Sequence, residues 1–209
     1  MKKKGNEFKG LAGGKNYRNF ARLFGFTAAF YRKGIGNVTL SDGMRALDLG
    51  CGPGALSFAL AERASSQAGI IGIDISKDQL NYAQSQCSQY DCNIRFENCS
   101  MDELPYPDEY FDVVVTSMAL HETPPDVRRA AIVQTARTLK KGGRFILVDW
   151  SKPKFGLWGV FWFPMICWGE QNRDNWRNVY PELCRHNGLQ LKEDCYINSI
   201  ARRQVFQKE

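Results

Sequence analysis

The chain has 209 residues, 44% of them hydrophobic, which suits one domain with a core on both faces of a sheet; a second full domain is not expected. Its formal net charge of +6 is spread over Lys2-Lys3-Lys4, Arg128-Arg129, Lys140-Lys141 and Arg202-Arg203, so an anionic partner is permitted but not demanded. Seven cysteines and two histidines, with no C-x-x-C pair, argue against a zinc site and for reduced thiols.

The start, Met1-Lys2-Lys3-Lys4-Gly5-Asn6-Glu7, is followed by polar residues where a signal peptide needs an apolar stretch, and a cytoplasmic location is expected. Residues up to about 15 read as a loose Lys/Gly-rich arm. Tyr17, Phe20, Ala21, Phe24, Ala28 and Tyr31 then recur at threes and fours. They predict one or two amphipathic helices, broken at Gly25, Gly34 and Gly36, that either cap the substrate side or pack on the sheet edge.

Arg45–Leu49 reads as a short buried strand running into the turn Gly50-Cys51-Gly52-Pro53-Gly54, with a helix from Ala55 to about Ser65. Glycines there permit positive φ and, lacking a Cβ, let a ligand lie against the backbone; the helix start adds free N–H groups. Cys51 is a small packed residue in that turn. The spacing is G-x-G-x-G, not the G-x-G-x-x-G of dinucleotide enzymes. Gly69–Asp74 is a second apolar strand, ending in a carboxylate about 20 residues beyond the turn, where an acid accepts the ribose hydroxyls of an adenosine. Ser76-Lys77-Asp78-Gln79 fits a capping box opening a helix to about Tyr90.

Asn93–Asn98 is a third strand, and a fourth runs from Asp112 into Thr116 and Ser117. A helix from Pro125 to Leu139 buries Val127, Ala131, Ile132 and Ala136; the turn Lys140-Lys141-Gly142-Gly143 closes it, and Arg144–Trp150 is the fifth strand. A helix over Asn178–Asn187 ends at Gly188, followed by extended segments at Leu189–Leu191, Tyr196–Ala201 and Arg203–Phe206. Strands alternating with helices predict a parallel sheet covered on both faces.

Four of these stretches carry a resemblance in order: Ala46–Gly54 with Asp48 ahead of the glycines; Gly69–Asp74; Ser100–Val115 with its Leu104-Pro105-Tyr106 and Phe111-Asp112; and Leu139–Asp149. Residues 46–150 resemble class I S-adenosylmethionine (SAM) methyltransferases of the ubiquinone/menaquinone-biosynthesis-like group. The resemblance implies an α/β, Rossmann-like fold: a seven-stranded, mostly parallel sheet with helices on both faces and an antiparallel C-terminal strand. It implies a single domain, with an arm and cap helices over 1–44, a SAM-binding core over 45–150, an aromatic insertion over 151–177 and a closing helix and strands over 178–209.

The cofactor implied is S-adenosyl-L-methionine, with no metal. Its implied contacts are Asp48, Gly50, Cys51, Gly52, Gly54, Asp74, Ile75, Ser100, Met101 and Ser117. One departure stands out: the family's usual adenine-binding acid aligns with Ser100, so that contact falls to Ser100, to the backbone near Met101, or to Asp102 after a shift.

Methyl transfer from a sulfonium is an in-line displacement and makes few side chains obligatory. Where a base is needed, the candidates at strand ends are His121, Glu122 and Asp149, though His121 and Asp149 equally suit helix caps. Thr123-Pro124-Pro125-Asp126 is similar to the N-P-P-Y signature of nucleic-acid amino-methylating enzymes, but no aromatic follows the prolines and the segment lies beyond the strand end. A nucleic-acid acceptor therefore rests mainly on mild positive charge. A nicotinamide reductase would need a Tyr-x-x-x-Lys that neither Tyr82 nor Tyr90 supplies, whereas a non-catalytic SAM-binding protein keeps the same motifs.

All five tryptophans fall between Trp150 and Trp176. The run Phe155–Trp168 reads as a lid over a pocket for a small, lipophilic or aromatic acceptor, as ordinary core, or as a transient membrane-surface contact. It is too short and too broken by Gly156, Gly159 and Pro164 to span a bilayer. Oligomeric state is left open.

Overall fold

A computed structural model describes residues 4–5, 14–23, 25–154 and 173–209. Phe155–Trp168, Phe24 and the side chains of Tyr17 and Phe20 lie outside the described residues, and with them the lid reading. In chain order the elements are α1 (Gly14–Leu23), α2 (Ala28–Ile35), β1 (Arg45–Leu49), α3 (Ala55–Ala61), β2 (Gly69–Asp74), α4 (Lys77–Gln84), β3 (Asn93–Asn98) and β4 (Phe111–Ser117). Then follow α5 (Pro125–Thr138), β5 (Leu139–Trp150), α6 (Arg173–Arg177), α7 (Tyr180–His186), β6 (Leu189–Tyr196) and β7 (Ala201–Lys208).

The strands form one sheet of order β3-β2-β1-β4-β5-β7-β6. β1 to β5 pair in parallel, and β7 inserts antiparallel between β5 and β6. Period-two alternation sorts the core. Ala46, Val113, Val115, Ile146 and Val148 face α2 and α3, while Leu47, Leu49, Val114, Phe145 and Leu147 face α5 and α7. On β1, Asp48 shares the face of Ala46, where Ser57 of α3 donates to its Oδ2 at 2.6 Å. The order reverses between β1 and β4, which opens a crevice at their carboxyl ends.

Several local expectations are corrected. α3 stops at Ala61, four residues before Ser65. Ser76 stands at the N-cap of α4 without a side-chain capping bond, and Gln79 accepts instead from the Gly14 N–H at 3.0 Å, so the capping box does not form. β5 begins at Leu139, and the expected turn at Lys140–Gly143 is a bulge within it: Leu139 pairs Phe111 and pairing resumes at Arg144 with Val113. Asn178, with φ +53, separates α6 from α7, so the helix begins at Tyr180. Residues 197–200 form a turn between β6 and β7, not an extended run, because Asn198 Oδ1 accepts from the N–H groups of both Ile200 and Ala201. No described helix is long and apolar enough to cross a membrane.

Candidate active site

The glycine turn leaves β1 at the crevice and is tied down by β2. Cys51 donates its N–H to Ile73 O, and Gly52 donates to Asp74 Oδ2, both at 2.9 Å. Asp74 Oδ1 accepts from the Ser76 N–H at 2.8 Å, so one carboxylate joins the turn to the start of α4. The glycines are not equivalent. A Cβ on Gly50 would lie 2.6 Å from the Ala119 Cβ and one on Gly54 2.8 Å from Phe58, but one on Gly52, at φ +51, would meet nothing within 4 Å. The outer two are filled by protein, and the middle one faces open space.

That space is a cleft at the carboxyl ends of β1 and β4. Asp48, Gly50, Cys51, Gly52, Asp74, Ile75, Ser100, Met101 and Ser117 all line it; Gly54 does not. Three buried polar atoms of lining residues have no hydrogen-bond partner among the described residues: Asp48 Oδ1, Gln79 Nε2 and Ser117 Oγ. Buried polar groups are paired in native proteins, so such a concentration around one open glycine fits a polar ligand. A ligand carrying an ammonium, hydroxyls and an amide- or amine-like edge would satisfy it, and SAM carries such groups.

Further lining residues escaped sequence reading. Lys4 and Gly5 belong to the supposedly loose arm, yet both line the cleft. Lys4 Nζ pairs with Asp102 and, at 2.9 Å, with Glu103. Asp102 also accepts from Ser100 Oγ, so its carboxylate is engaged away from the cleft that Ser100 and Met101 line. Tyr31 lines it from α2. Met118 does so with φ +54, a left-handed conformation that costs a non-glycine residue about 1 kcal/mol or more and concentrates at functional sites.

Asp48 is fully buried, and burial pushes its pKa up to about 7; the Ser57 hydrogen bond opposes this and the Asp74 charge adds to it. The folded chain therefore binds this proton more tightly than the unfolded one. The stability it contributes is present below about pH 4 and is lost as pH rises through 7. Asp48→Asn should raise the thermal midpoint at pH 8, by the equivalent of about 2 to 4 kcal/mol, with the difference vanishing toward pH 4. Melting curves at both pH values check this. An Asp48→Asn chain less stable than wild type at pH 8 would contradict the desolvated carboxylate.

A second group of side chains adjoins the cleft. Leu120–Glu122 form a single 3-10 turn after β4. His121 points its Nδ1 to Asp149 Oδ1 at 2.6 Å, and its backbone N–H donates to Asp149 Oδ2 at 3.1 Å. Its Nε2 lies 3.1 Å from Glu122 Oε1 and 3.1 Å from the Trp150 indole Nε1. The indole N–H suits a neutral ring and Glu122 a protonated one. Burial pulls the His121 pKa down, but the charge and hydrogen bond of Asp149, then those of Glu122, outweigh it and hold it at about 9. The two carboxylates thus favour the charged ring, and the indole N–H opposes it. Of the candidate bases, Glu122 lines the cleft; His121 and Asp149 stand behind it.

The 3-2-1-4-5-7-6 sheet, with a glycine cradle at its switch point and an acid at the end of β2, defines a class I SAM-dependent methyltransferase fold. A family profile described as "Methyltransferase domain" matches residues 46–143. A ubiquinone/menaquinone biosynthesis C-methyltransferase of Francisella philomiragia is 27% identical over 155 residues, 73% of this chain and 61% of that protein. An uncharacterized methyltransferase of Synechocystis is 35% identical over 136 residues, 65% of this chain and 59% of that one. The chain thus spans about three fifths of the length of these two curated relatives. A solved SAM-dependent methyltransferase from Aquifex aeolicus superposes with a TM-score of 0.68 at 18% identity, covering 90% of this chain and 93% of that one. The chain is thus similar over residues 46–143 to methyltransferase domains, and its sheet shares the fold of solved SAM-dependent methyltransferases.

Proposed function

We propose that the chain transfers the SAM methyl group to a carbon of a small, lipophilic or aromatic acceptor, and that Glu122 takes up the proton the acceptor loses. The observation that carries this reading is Glu122, the one candidate base among the residues that line the cleft, paired with His121, which in turn pairs with Asp149. Of the other lining carboxylates, Asp48 holds Ser57 and Asp74 holds the glycine turn. A carbon acceptor is supported by the Francisella relative, a C-methyltransferase 27% identical to this chain.

SAM supplies an electrophilic methyl on a sulfonium, so the protein need only align the acceptor carbon and keep water out. In this reading Asp48 faces the cofactor ammonium and Gly50 to Gly52 cradle the amino-acid moiety. Asp74, at the carboxyl end of β2, takes the ribose hydroxyls. Ser100, Met101 and Ser117 contact the remaining polar edges. Glu122 then accepts a proton from the methylated carbon or its precursor, while the His121 ring fixes the orientation of that carboxylate.

Incubation with methyl-labelled SAM and a fractionated cell extract tests the assignment. Label is expected in the organic-soluble fraction; label confined to nucleic acid, or none in any fraction, would overturn it. With the acceptor in hand, Glu122→Gln should lower kcat by about 10²- to 10⁴-fold, the scale of general-base catalysis, with SAM affinity within a few fold. An unchanged kcat would remove Glu122 from the chemistry.

A further inference from the structure

We infer that Arg128 is a positioning residue for the methyl-transfer site: from the buried side of α5 it clamps both ends of the turn that carries His121 and Glu122, and it ties that turn to Asp174 of α6. This rests on the reading of Glu122 as the acceptor-side base.

Arg128 is fully buried. Its Nε donates to Leu120 O at 3.0 Å and its Nη2 to Thr123 O at 2.8 Å, so the two carbonyls flanking the His121-Glu122 dipeptide are held by one planar cation. Its Nη1 donates to Asp174 Oδ2 at 3.0 Å. A guanidinium presents its donors in a rigid fork, and a lysine cannot reproduce three such directions at once. A buried cation is costly unless paired, and Asp174 supplies the pair. The clamp is therefore a charge-assisted tie between the turn and α6.

The same helix touches the site from a second direction. Trp176 packs against the cluster of Trp150 and Ile200, and Trp150 lies within hydrogen-bond distance of His121. α6 thus braces the turn through Asp174 and the indole beside His121 through Trp176. The clamp keeps His121 against Asp149 on one side and Glu122 against the cleft on the other; loosening it should let the imidazole drift from Asp149, the largest of the attractions that keep it protonated.

His121 is therefore the reporter. The charged groups that face it are Asp149 from β5 and Glu122 from its own turn. The chain holds two histidines, so side-chain NMR of the full chain is assigned by His186→Gln alone. In Asp174→Asn and in Arg128→Lys, the His121 titration should move from about 9 by one unit or more toward the free value of about 6.5. If both variants melt earlier but titrate His121 as the wild type does, Arg128 merely supports the fold and the inference falls. Asp174→Asn decides the matter by itself should Arg128→Lys not fold. The reading of Glu122 is tested separately by kcat, so a catalytically silent Glu122 with a shifted His121 would spare the clamp and overturn only the base.

Discussion

Gly52→Val is expected to weaken S-adenosylhomocysteine binding by at least about 100-fold, close to 3 kcal/mol, while the chain still folds. The reason lies in the asymmetry of the turn. A Cβ at Gly52 meets no protein atom within 4 Å, so the branched side chain would stand in the space left for the ligand. The cost to the unliganded chain is confined to holding a β-branched residue at φ +51, about 1 to 2 kcal/mol. The same change at Gly54 would collide with Phe58 and Phe96 and would report on packing instead. Calorimetry for affinity and melting of the free protein separate the two effects. Binding at wild-type affinity in Gly52→Val would mean that the ligand does not lie against this turn.

Asp74→Ala should weaken the same ligand by about 1 to 3 kcal/mol, the scale of lost hydrogen bonds to a charged acceptor, and toward the upper end of that range. The carboxylate has two duties. In the proposed reading it takes ribose hydroxyls, and it already accepts the N–H groups of Gly52 and Ser76. Removing it leaves two backbone donors at the rim of the cleft without their acceptor and frees the glycine turn. Titration with S-adenosylhomocysteine against adenosine alone distinguishes the duties: loss of ribose contacts weakens both ligands, whereas loss of turn geometry weakens the larger one more. No loss for either would place the cofactor elsewhere.

The strands and the glycine turn were legible because their signals are local. Continuous apolar runs at Arg45–Leu49 and Gly69–Asp74, and glycines where φ must be positive, report a backbone conformation that neighbouring residues enforce. The capping box at Ser76–Gln79 was equally local and failed, since the Gly14 N–H, from a distant part of the chain, offered Gln79 a bond that the pattern does not encode. The arm failed in the same way: composition marks Lys4-Gly5 as loose, but the acids Asp102 and Glu103 and the wall formed by Ile75 and Thr123 give it a place to settle.

By itself, then, the sequence determined the alternation of strands and helices, the cradle and the acid at the end of β2, because each follows from residue type and short-range spacing. Only the tertiary structure decided which of the candidate bases meets the cleft. His121 and Glu122 are adjacent in sequence, and the 3-10 turn that carries them sets the His121 ring between Asp149 and Glu122, of which Glu122 belongs to the cleft lining. That arrangement depends on β5 delivering Asp149, on α5 delivering Arg128 and on α6 delivering Asp174. Those partners come from distant stretches of chain and meet only when the sheet is assembled, which no spacing within the sequence records.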